Sequence, residues 1–210
     1  MRRNSWRTHA RKLVAGAIGL ITLLAPMASA PASASIERPG SRTPGYSFRL
    51  ADGGTLTVNL PGTAPGGTRP PWLPCGLRDS GAKVIKTYAR TRTRTPDEVD
   101  FPSGPARLRC GNSDFGYRHI VLRHRTEWLT NAALSEDNWL DLADFSINAA
   151  LTDPDRVVYD WRNNATCFSR AIYLINNRTK QRAGTLVPNV VVGFTTLNVV
   201  TAIPKKQQCG

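Results

Sequence analysis

The pattern of apolar and polar positions along the chain changes near residue 106. Residues 35–105 are rich in Pro, Gly, Thr and Arg and contain only short alternating stretches. Beyond residue 106, apolar residues recur first at helical spacing and then at strand spacing. The pattern therefore predicts an extension over residues 35–105 and a folded domain over residues 106–210.

Two helices are predicted at the start of the domain. The first runs from Gly116 to Leu129, and the second begins at a cap formed by Ser135 or Asp137. The second helix ends at Asp153-Pro154, because proline disfavours helix in the residue before it. Its apolar face comprises Trp139, Leu140, Ala143, Ile147, Ala150 and Leu151.

Beyond Pro154 the apolar residues alternate, which is typical of strands. Turns are predicted at Asn163-Asn164 and Asn176-Asn177. The strand candidates are Arg156 to Tyr159, Cys167 to Leu174, Val187 to Phe194 and Asn198 to Ile203. The predicted fold class is α+β, with two N-terminal helices packed on a roughly four-stranded antiparallel sheet.

The extension is predicted to hold a β-hairpin, in which Tyr46 to Leu50 and Thr55 to Leu60 flank Asp52-Gly53-Gly54. A loop with five prolines follows from Pro61 to Pro74. The basic stretch from Lys83 to Arg94 fits three interpretations: an edge strand with a basic face, an arm that tracks phosphates, or a solvated loop.

Residues 1–34 have the layout of a secretory signal peptide. A basic start precedes an apolar run from Leu13 to Ala28, and we expect cleavage after Ala34. Five Lys and Arg residues lie in this segment, so its removal lowers the net charge from +13 to +8. We therefore expect an extracellular protein whose charge favours polyanionic partners.

All four cysteines, Cys75, Cys110, Cys167 and Cys209, lie beyond the signal segment. An even number in an exported chain predicts two disulfides, with three pairings open. Cys209 would then hold the end of the chain.

The densest chemistry lies on the first predicted helix. His119, Arg123, Thr126 and Glu127 share one face, whereas His124 falls among Tyr117, Ile120, Val121 and Trp128. The two histidines are about 140° apart around a regular helix, so we expect them to point in different directions. His124 fits either a catalytic role or a hydrogen-bonded core position, and His119 either a catalytic or a surface position.

This inventory limits the possible mechanisms. No G-x-S-x-G motif is present, and the two histidines lack the i, i+4 spacing of a shared helical metal site. Acid–base chemistry by histidine, with Arg, Thr and Tyr stabilising charge, remains. That set suits RNA cleavage without metal or other cofactor, because the RNA supplies its own 2′-OH nucleophile.

The segment G-Y-R-H-I-V-L-R-H, from Gly116 to His124, resembles the G-x-x-H-I-x-x-R-H helix of bacterial toxin nucleases in the barnase/EndoU/colicin/RelE-like ribonuclease superfamily. Three predicted strands also match the superfamily: C-F-S-R-A-I-Y-L, P-N-V-V-V-G-F and N-V-V-T-A-I-P. In the last of these, Ile203 replaces the usual aromatic residue. The resemblance covers residues 106–206. It implies a metal-independent endoribonuclease that leaves a cyclic phosphate.

The resemblance also implies roles for individual residues. His119 and His124 would act as base and acid, or His124 as a support for His119. Arg123 and Arg170 would hold the scissile phosphate, and Thr201 and Tyr173 would orient it. Further substrate-binding candidates are Thr195, Thr196, Arg118 and Lys86.

Strand alternation qualifies the role of Arg170, since it shares a face with Phe168 and Ile172. If that face is the core, Arg170 must be buried and paired, and Tyr173 is the better site residue. The partners considered are Glu127, Asp141 and Asp144.

Two alternative functions stay open. One is a non-catalytic module that binds an acidic cell-wall polymer, and the other is a deoxyribonuclease on a related scaffold. We expect a monomer, and family toxins often have a neutralising immunity protein as partner.

Overall fold

The computed structural model of the protein describes residues 45–55 and 72–210. The predicted signal segment, residues 56–60 of the predicted hairpin and most of the proline-rich loop lie outside these ranges. The described elements are β1 (Tyr46–Arg49), β2 (Val84–Arg90), β3 (Thr93–Arg94), β4 (Asp100–Phe101), β5 (Gly104–Arg109), α1 (Gly116–Ala132), α2 (Trp139–Thr152), β6 (Arg156–Asp160), β7 (Ala165–Ser169), β8 (Ile172–Asn176), β9 (Arg182–Gly193) and β10 (Val199–Lys205). The α+β class with two helices and antiparallel pairing is confirmed.

The long strand β9 organises the main sheet. Strands β7 and β8 pair with its two halves on one side, and β10 pairs with it on the other. β6 then pairs with β7, and β1 pairs with β8. The prediction of one unbroken strand from Cys167 to Leu174 was wrong, because the strand is interrupted at Arg170 and Ala171. The register is the same on both sides of the break, with Ser169 opposite Asn189 and Ile172 opposite Leu186.

The sheet has a core face and an outer face, because directly paired residues project to the same side. Phe168, Val190 and Ala202 form one cross-strand row on the core face, and all three are fully buried. Cys167, Val191 and Thr201 form the neighbouring row on the outer face.

Helix α1 packs beside β10 and helix α2 packs over β7 and β9. The buried Trp128 of α1 donates its indole N–H to the carbonyl oxygen of Ala202 at 3.0 Å. That bond satisfies a backbone acceptor of β10, which has a strand neighbour on one side only. The apolar positions of both helices therefore close over the core face.

The N-terminal cap of α2 differs from the prediction. The cap is Asn138, whose side-chain oxygen accepts from the backbone N–H of Leu140 at 2.9 Å. Ser135 and Asp137 are used in the preceding loop instead, where the Ser135 hydroxyl donates to the Asp137 carboxylate at 2.5 Å. The predicted end of α2 before Pro154 is confirmed.

The predicted extension shares the core of the domain. Phe48 of β1 and the residues Ile85, Tyr88 and Phe101 are buried in the same cluster as Phe168. The described residues, 45–55 and 72–210, belong to one compact unit. The strands on both sides of the compositional boundary at residue 106 are thus packed together.

The basic stretch from Lys83 to Arg94 folds largely as a strand, β2, paired with β5. Three of its cations form ion pairs within the molecule: Lys83 with Asp79, Lys86 with Asp144 and Arg92 with Asp100. Arg90 is buried, with its guanidinium carbon 3.8 Å from the centre of the Phe101 ring. Of the three interpretations, the strand is the one observed.

The two predicted disulfides are present, and their pairing is Cys75–Cys110 and Cys167–Cys209. Cys209 is 3% exposed, and its backbone N–H donates to the Ser169 hydroxyl at 3.2 Å. The end of the chain is therefore held against the outer face of the sheet. Within the described residues, neither helix is long and apolar enough to cross a membrane.

Candidate active site

The start of α1 is built by a tight turn that needs two glycines. Gly111 and Gly116 have φ values of +65° and +79°, in the left-handed region. A Cβ atom on Gly116 would lie 2.6 Å from the carbonyl oxygen of Arg109. The Asn112 side chain accepts from the backbone N–H groups of Asp114 and Phe115, which completes the turn.

This turn positions His119. The Ser113 carbonyl oxygen lies 2.7 Å from Nδ1 of His119. Because a carbonyl oxygen can only accept, Nδ1 must carry the proton and Nε2 of the neutral ring must be the acceptor.

His124 is held in the same way by its own helix. Its Nδ1 lies 3.0 Å from the Glu127 carboxylate, three residues further along α1. A carboxylate at this position fixes the tautomer that carries its proton on Nδ1. No protein atom in the described residues bonds Nε2 of either histidine.

The rings of His119 and His124 lie together, with centroids 5.5 Å apart and planes at 66°. The expectation that they point in different directions was wrong. Angular position on a helix locates the Cβ atom, but χ1 and χ2 rotations move an imidazole ring several ångströms from that direction.

Burial lowers the pKa of His124, and the positive charges of His119 and Lys205 lower it further. The hydrogen bond and negative charge of Glu127 act in the opposite direction and raise that pKa. Desolvation is the largest of these effects, so the neutral imidazole is favoured at neutral pH.

Two residues of this site, Glu127 and Lys205, have roles that the sequence analysis did not predict. Glu127 was placed on the face of His119, yet it bonds His124; the i, i+3 spacing was a usable signal. Lys205 is the last residue of β10, and nothing in its local sequence indicates that it lies near α1. Arg123 is exposed on the same helix, four residues after His119 and directly before His124.

Arg170 lies elsewhere and is used structurally. It is 7% exposed on the core face, as alternation with Phe168 and Ile172 required. Its partners are not Glu127, Asp141 or Asp144. They are the carboxylate and carbonyl oxygen of Asp153, with Asp52 at 3.7 Å and Asp155 at 3.8 Å. The guanidinium therefore connects the break between β7 and β8 to two other segments. One is the connection between α2 and β6, which contains Asp153 and Asp155, and the other is the turn after β1, which contains Asp52.

The remaining candidates from the resemblance are not gathered around the histidines. Thr201 is buried on the outer face, and its hydroxyl has no partner among the described residues. Tyr173 also lies on the outer face, paired across strands with Thr185. Among the described residues, no hydrogen bond, ion pair or ring contact joins either of them to the histidine pair on α1.

The four substrate-binding candidates are also dispersed. Thr195 and Thr196 are exposed in the loop between β9 and β10, where the Thr195 hydroxyl accepts from Asn164 at 2.8 Å. The Arg118 guanidinium donates to the carbonyl oxygens of Gly111, Gly76 and Asp79. Lys86 pairs with Asp144 beneath α2.

One group of three potential metal-ligating side chains occurs among the described residues, formed by Cys75, Asp79 and Cys110. Both sulfurs of that group are joined in a disulfide. Asp79 accepts from Lys83 and from the backbone N–H of Gly76.

The chain is similar to two uncharacterized proteins of Mycobacterium tuberculosis, one from strain CDC 1551 / Oshkosh and one from strain ATCC 25618 / H37Rv. Each is 29% identical over 141 residues, which cover 64% of this chain and 49% of the relative. The chain therefore spans about half the length of the curated relatives it matches. No protein-family model matches the chain, and no solved structure matches it significantly.

Proposed function

We propose that this protein is an exported, metal-independent endoribonuclease whose protons are moved by His119 and His124. The observation that carries the proposal is the ring pair, in which each Nδ1 is bonded to an acceptor and neither Nε2 is bonded by a described residue. Two neighbouring imidazoles provide a base and an acid for one reaction when one ring is neutral and the other carries a proton on both nitrogens.

His124 is the general base, because its lowered pKa keeps Nε2 unprotonated at neutral pH. Nε2 takes the proton of the ribose 2′-OH, and the 2′ oxygen attacks the adjacent phosphorus. The bond from phosphorus to O5′ breaks, and protonated His119 gives its Nε2 proton to O5′. The products are a 2′,3′-cyclic phosphate and a 5′-OH end.

Cations near the pair support the charge that builds on the phosphate. Arg123 precedes His124 and is exposed, and Lys205 is close enough to lower the pKa of His124. Positive groups placed beside a developing phosphorane stabilise the transition state more than the ground state. Arg170 has no part in this step, because its guanidinium is engaged with three aspartates.

Export is part of the proposal. The layout of residues 1–34 and the two disulfides both fit an oxidising compartment outside the cytosol.

The test is cleavage of a fluorogenic RNA oligonucleotide by the oxidised protein in excess EDTA. We expect cutting in EDTA, with a cyclic phosphate on the 5′ product. His119→Ala and His124→Ala should each lower kcat by about 10²- to 10⁴-fold. Arg78→Ala, which removes an exposed arginine from the disulfide loop, is the control and should retain full activity. Thermal unfolding of each variant confirms that the fold is intact.

The other outcomes are equally informative. A DNA oligonucleotide has no 2′-OH, so its cleavage at the same rate would overturn this mechanism in favour of the deoxyribonuclease. RNA that is bound but never shortened would overturn catalysis and favour the non-catalytic binding module. Full activity in His119→Ala would remove His119 from the mechanism.

A further inference from the structure

The C-terminal part of the chain has an unusual charge distribution. Residues 161–210 contain seven Lys and Arg and no Asp or Glu. Three of these cations, Arg178, Lys180 and Arg182, lie at the turn between β8 and β9 and at the start of β9, and all three are exposed. Arg49 belongs to β1, which pairs with β8.

A tyrosine lies beside two of these cations, Arg49 and Arg182. Arg49, Tyr173 and Thr185 form one cross-strand row over β1, β8 and β9, on the outer face of the sheet. The guanidinium carbon of Arg182 lies 4.2 Å from the centre of the Tyr173 ring. The same guanidinium donates to the Thr185 hydroxyl, which fixes its plane against the ring.

Within the described ranges, no carboxylate pairs with Arg49, Arg178, Lys180 or Arg182. The positive charge of this surface is therefore uncompensated locally, unlike that of Arg92 or Arg170, which lie against aspartates. A guanidinium stacked on an aromatic ring, with cations around it that pair with no described carboxylate, is chemically suited to a ligand that has both flat rings and phosphates.

We propose that this surface, formed by Arg49, Tyr173, Arg178, Lys180 and Arg182, is a docking site for single-stranded RNA. One base stacks on the Tyr173–Arg182 pair, and the neighbouring phosphates bind the other cations. The choice of RNA among nucleic acids rests on the proposed function.

A single strand is the occupant that matches the chemistry. In a duplex the base faces are covered by their neighbours, whereas a single strand can turn a base outward onto an aromatic or guanidinium plane. A lipid headgroup or a wall-polymer phosphate would use the cations and gain nothing from the stacked ring. The role of Tyr173 therefore distinguishes these ligands.

The docking surface is separate from the histidine pair. Tyr173 projects from the outer face of β8, with β9 between it and β10, whereas the histidines lie on α1 beside the opposite edge of β10. The surface therefore adds affinity for long RNA without contributing a group to the reaction.

The experiment measures fluorescence anisotropy of a labelled 2′-O-methyl RNA dodecamer, which cannot be cleaved by 2′-OH attack. We expect Tyr173→Leu and Arg182→Ala each to raise Kd by about 10-fold. Arg49→Ala should lower the slope of log affinity against log salt by about 0.7, the value for one phosphate contact on a single strand. Arg78→Ala is the matched control on a distant loop.

Two further measurements complete the test. With phosphatidylglycerol vesicles, Tyr173→Leu should bind as the wild type does. If Tyr173→Leu leaves RNA binding unchanged, the stacking site is overturned. Equal losses for RNA and vesicles would also overturn it, because charge alone would then explain binding.

Cleavage separates this proposal from the proposed function. In Arg182→Ala we expect KM for a 20-nucleotide RNA to rise about 10-fold, while kcat/KM for a dinucleoside monophosphate stays at the wild-type value. If Tyr173→Leu weakens binding of the dodecamer but the wild-type protein cuts no RNA, the docking site is supported and the ribonuclease proposal is overturned. If the wild-type protein cuts RNA but the variants bind the dodecamer normally, only the docking site is overturned.

Discussion

Replacement of Arg170 distinguishes a structural arginine from a phosphate-binding one. Arg170→Met keeps the length of the apolar stem and removes the guanidinium from Asp52, Asp153 and Asp155. If the arginine is structural, the loss falls on stability. If it binds the scissile phosphate, the loss falls on kcat.

The size of the stability loss follows from the exposure of the partners. Breaking a fully buried ion pair costs about 3–5 kcal/mol, because a charge is left in a dry environment. Here the arginine side chain is 8% exposed, but the three aspartate side chains are 36–73% exposed and regain water. We therefore expect a loss of about 2–3 kcal/mol, near the value for hydrogen bonds to a charged group.

For a domain of this size, that loss lowers Tm by roughly 5–10 °C. The assay is thermal unfolding by circular dichroism at pH 7, together with RNA cleavage at 20 °C, where the variant is folded. We expect cleavage within about twofold of wild type, since a group outside the reaction does not alter kcat. Arg178→Met, on an exposed turn, is the control and should change Tm little. A 100-fold loss of kcat with an unchanged Tm would refute the structural assignment.

Three other predictions follow from the site and from the loop before α2. Glu127→Gln keeps an acceptor for His124 but removes the negative charge that raises the pKa of His124. The acidic limb of the pH profile of kcat/KM should therefore move to lower pH. A shift to higher pH would contradict the assignment of His124 as the general base. Gly116→Ala should destabilise the fold by about 2–4 kcal/mol in chemical denaturation, because φ is positive and the methyl group meets the Arg109 carbonyl oxygen. Burial raises the pKa of Asp137 to about 6, so the native state retains a proton that the unfolded chain releases near pH 4, and unfolding free energy falls as pH rises between these values. Asp137→Asn should therefore raise Tm at pH 7 and reduce its pH dependence between pH 4 and 6, and a lower Tm at pH 7 would show that the charged form is stabilising.

Local sequence was sufficient for the helices and for much of the sheet. The 3.6-residue spacing located α1 and α2 because one apolar stripe on each must face the core. Alternation located the strands β6, β9 and β10, and it also indicated that Arg170 is buried, since Phe168 on the same face is fully buried. The break at Arg170 and Ala171 was missed, because its contacts are with Asp52, Asp153 and Asp155, which lie at least 15 residues earlier in the chain.

The candidate site was predicted only in part. His119 and His124 were recognised by residue type and spacing, but the approach of their rings was not, because it depends on side-chain rotamers and on bonds to Ser113 and Glu127. The resemblance added Arg170, Tyr173 and Thr201, and among the described residues none of these three contacts either histidine by a hydrogen bond, ion pair or ring contact.

The sequence by itself determined the two helices, the strands β6 and β10, the number of disulfides and the excess of positive charge, because each depends on residues close together in the chain or on composition. Tertiary structure decided the partners: Cys75 with Cys110, β1 beside β8, three aspartates around Arg170, and Lys205 near His124. Such pairs join residues that are distant in sequence, and loop paths and packing determine which of them meet. The placement of the histidines apart from the Tyr173 surface is of the same kind, since it depends on which face of the sheet each element covers.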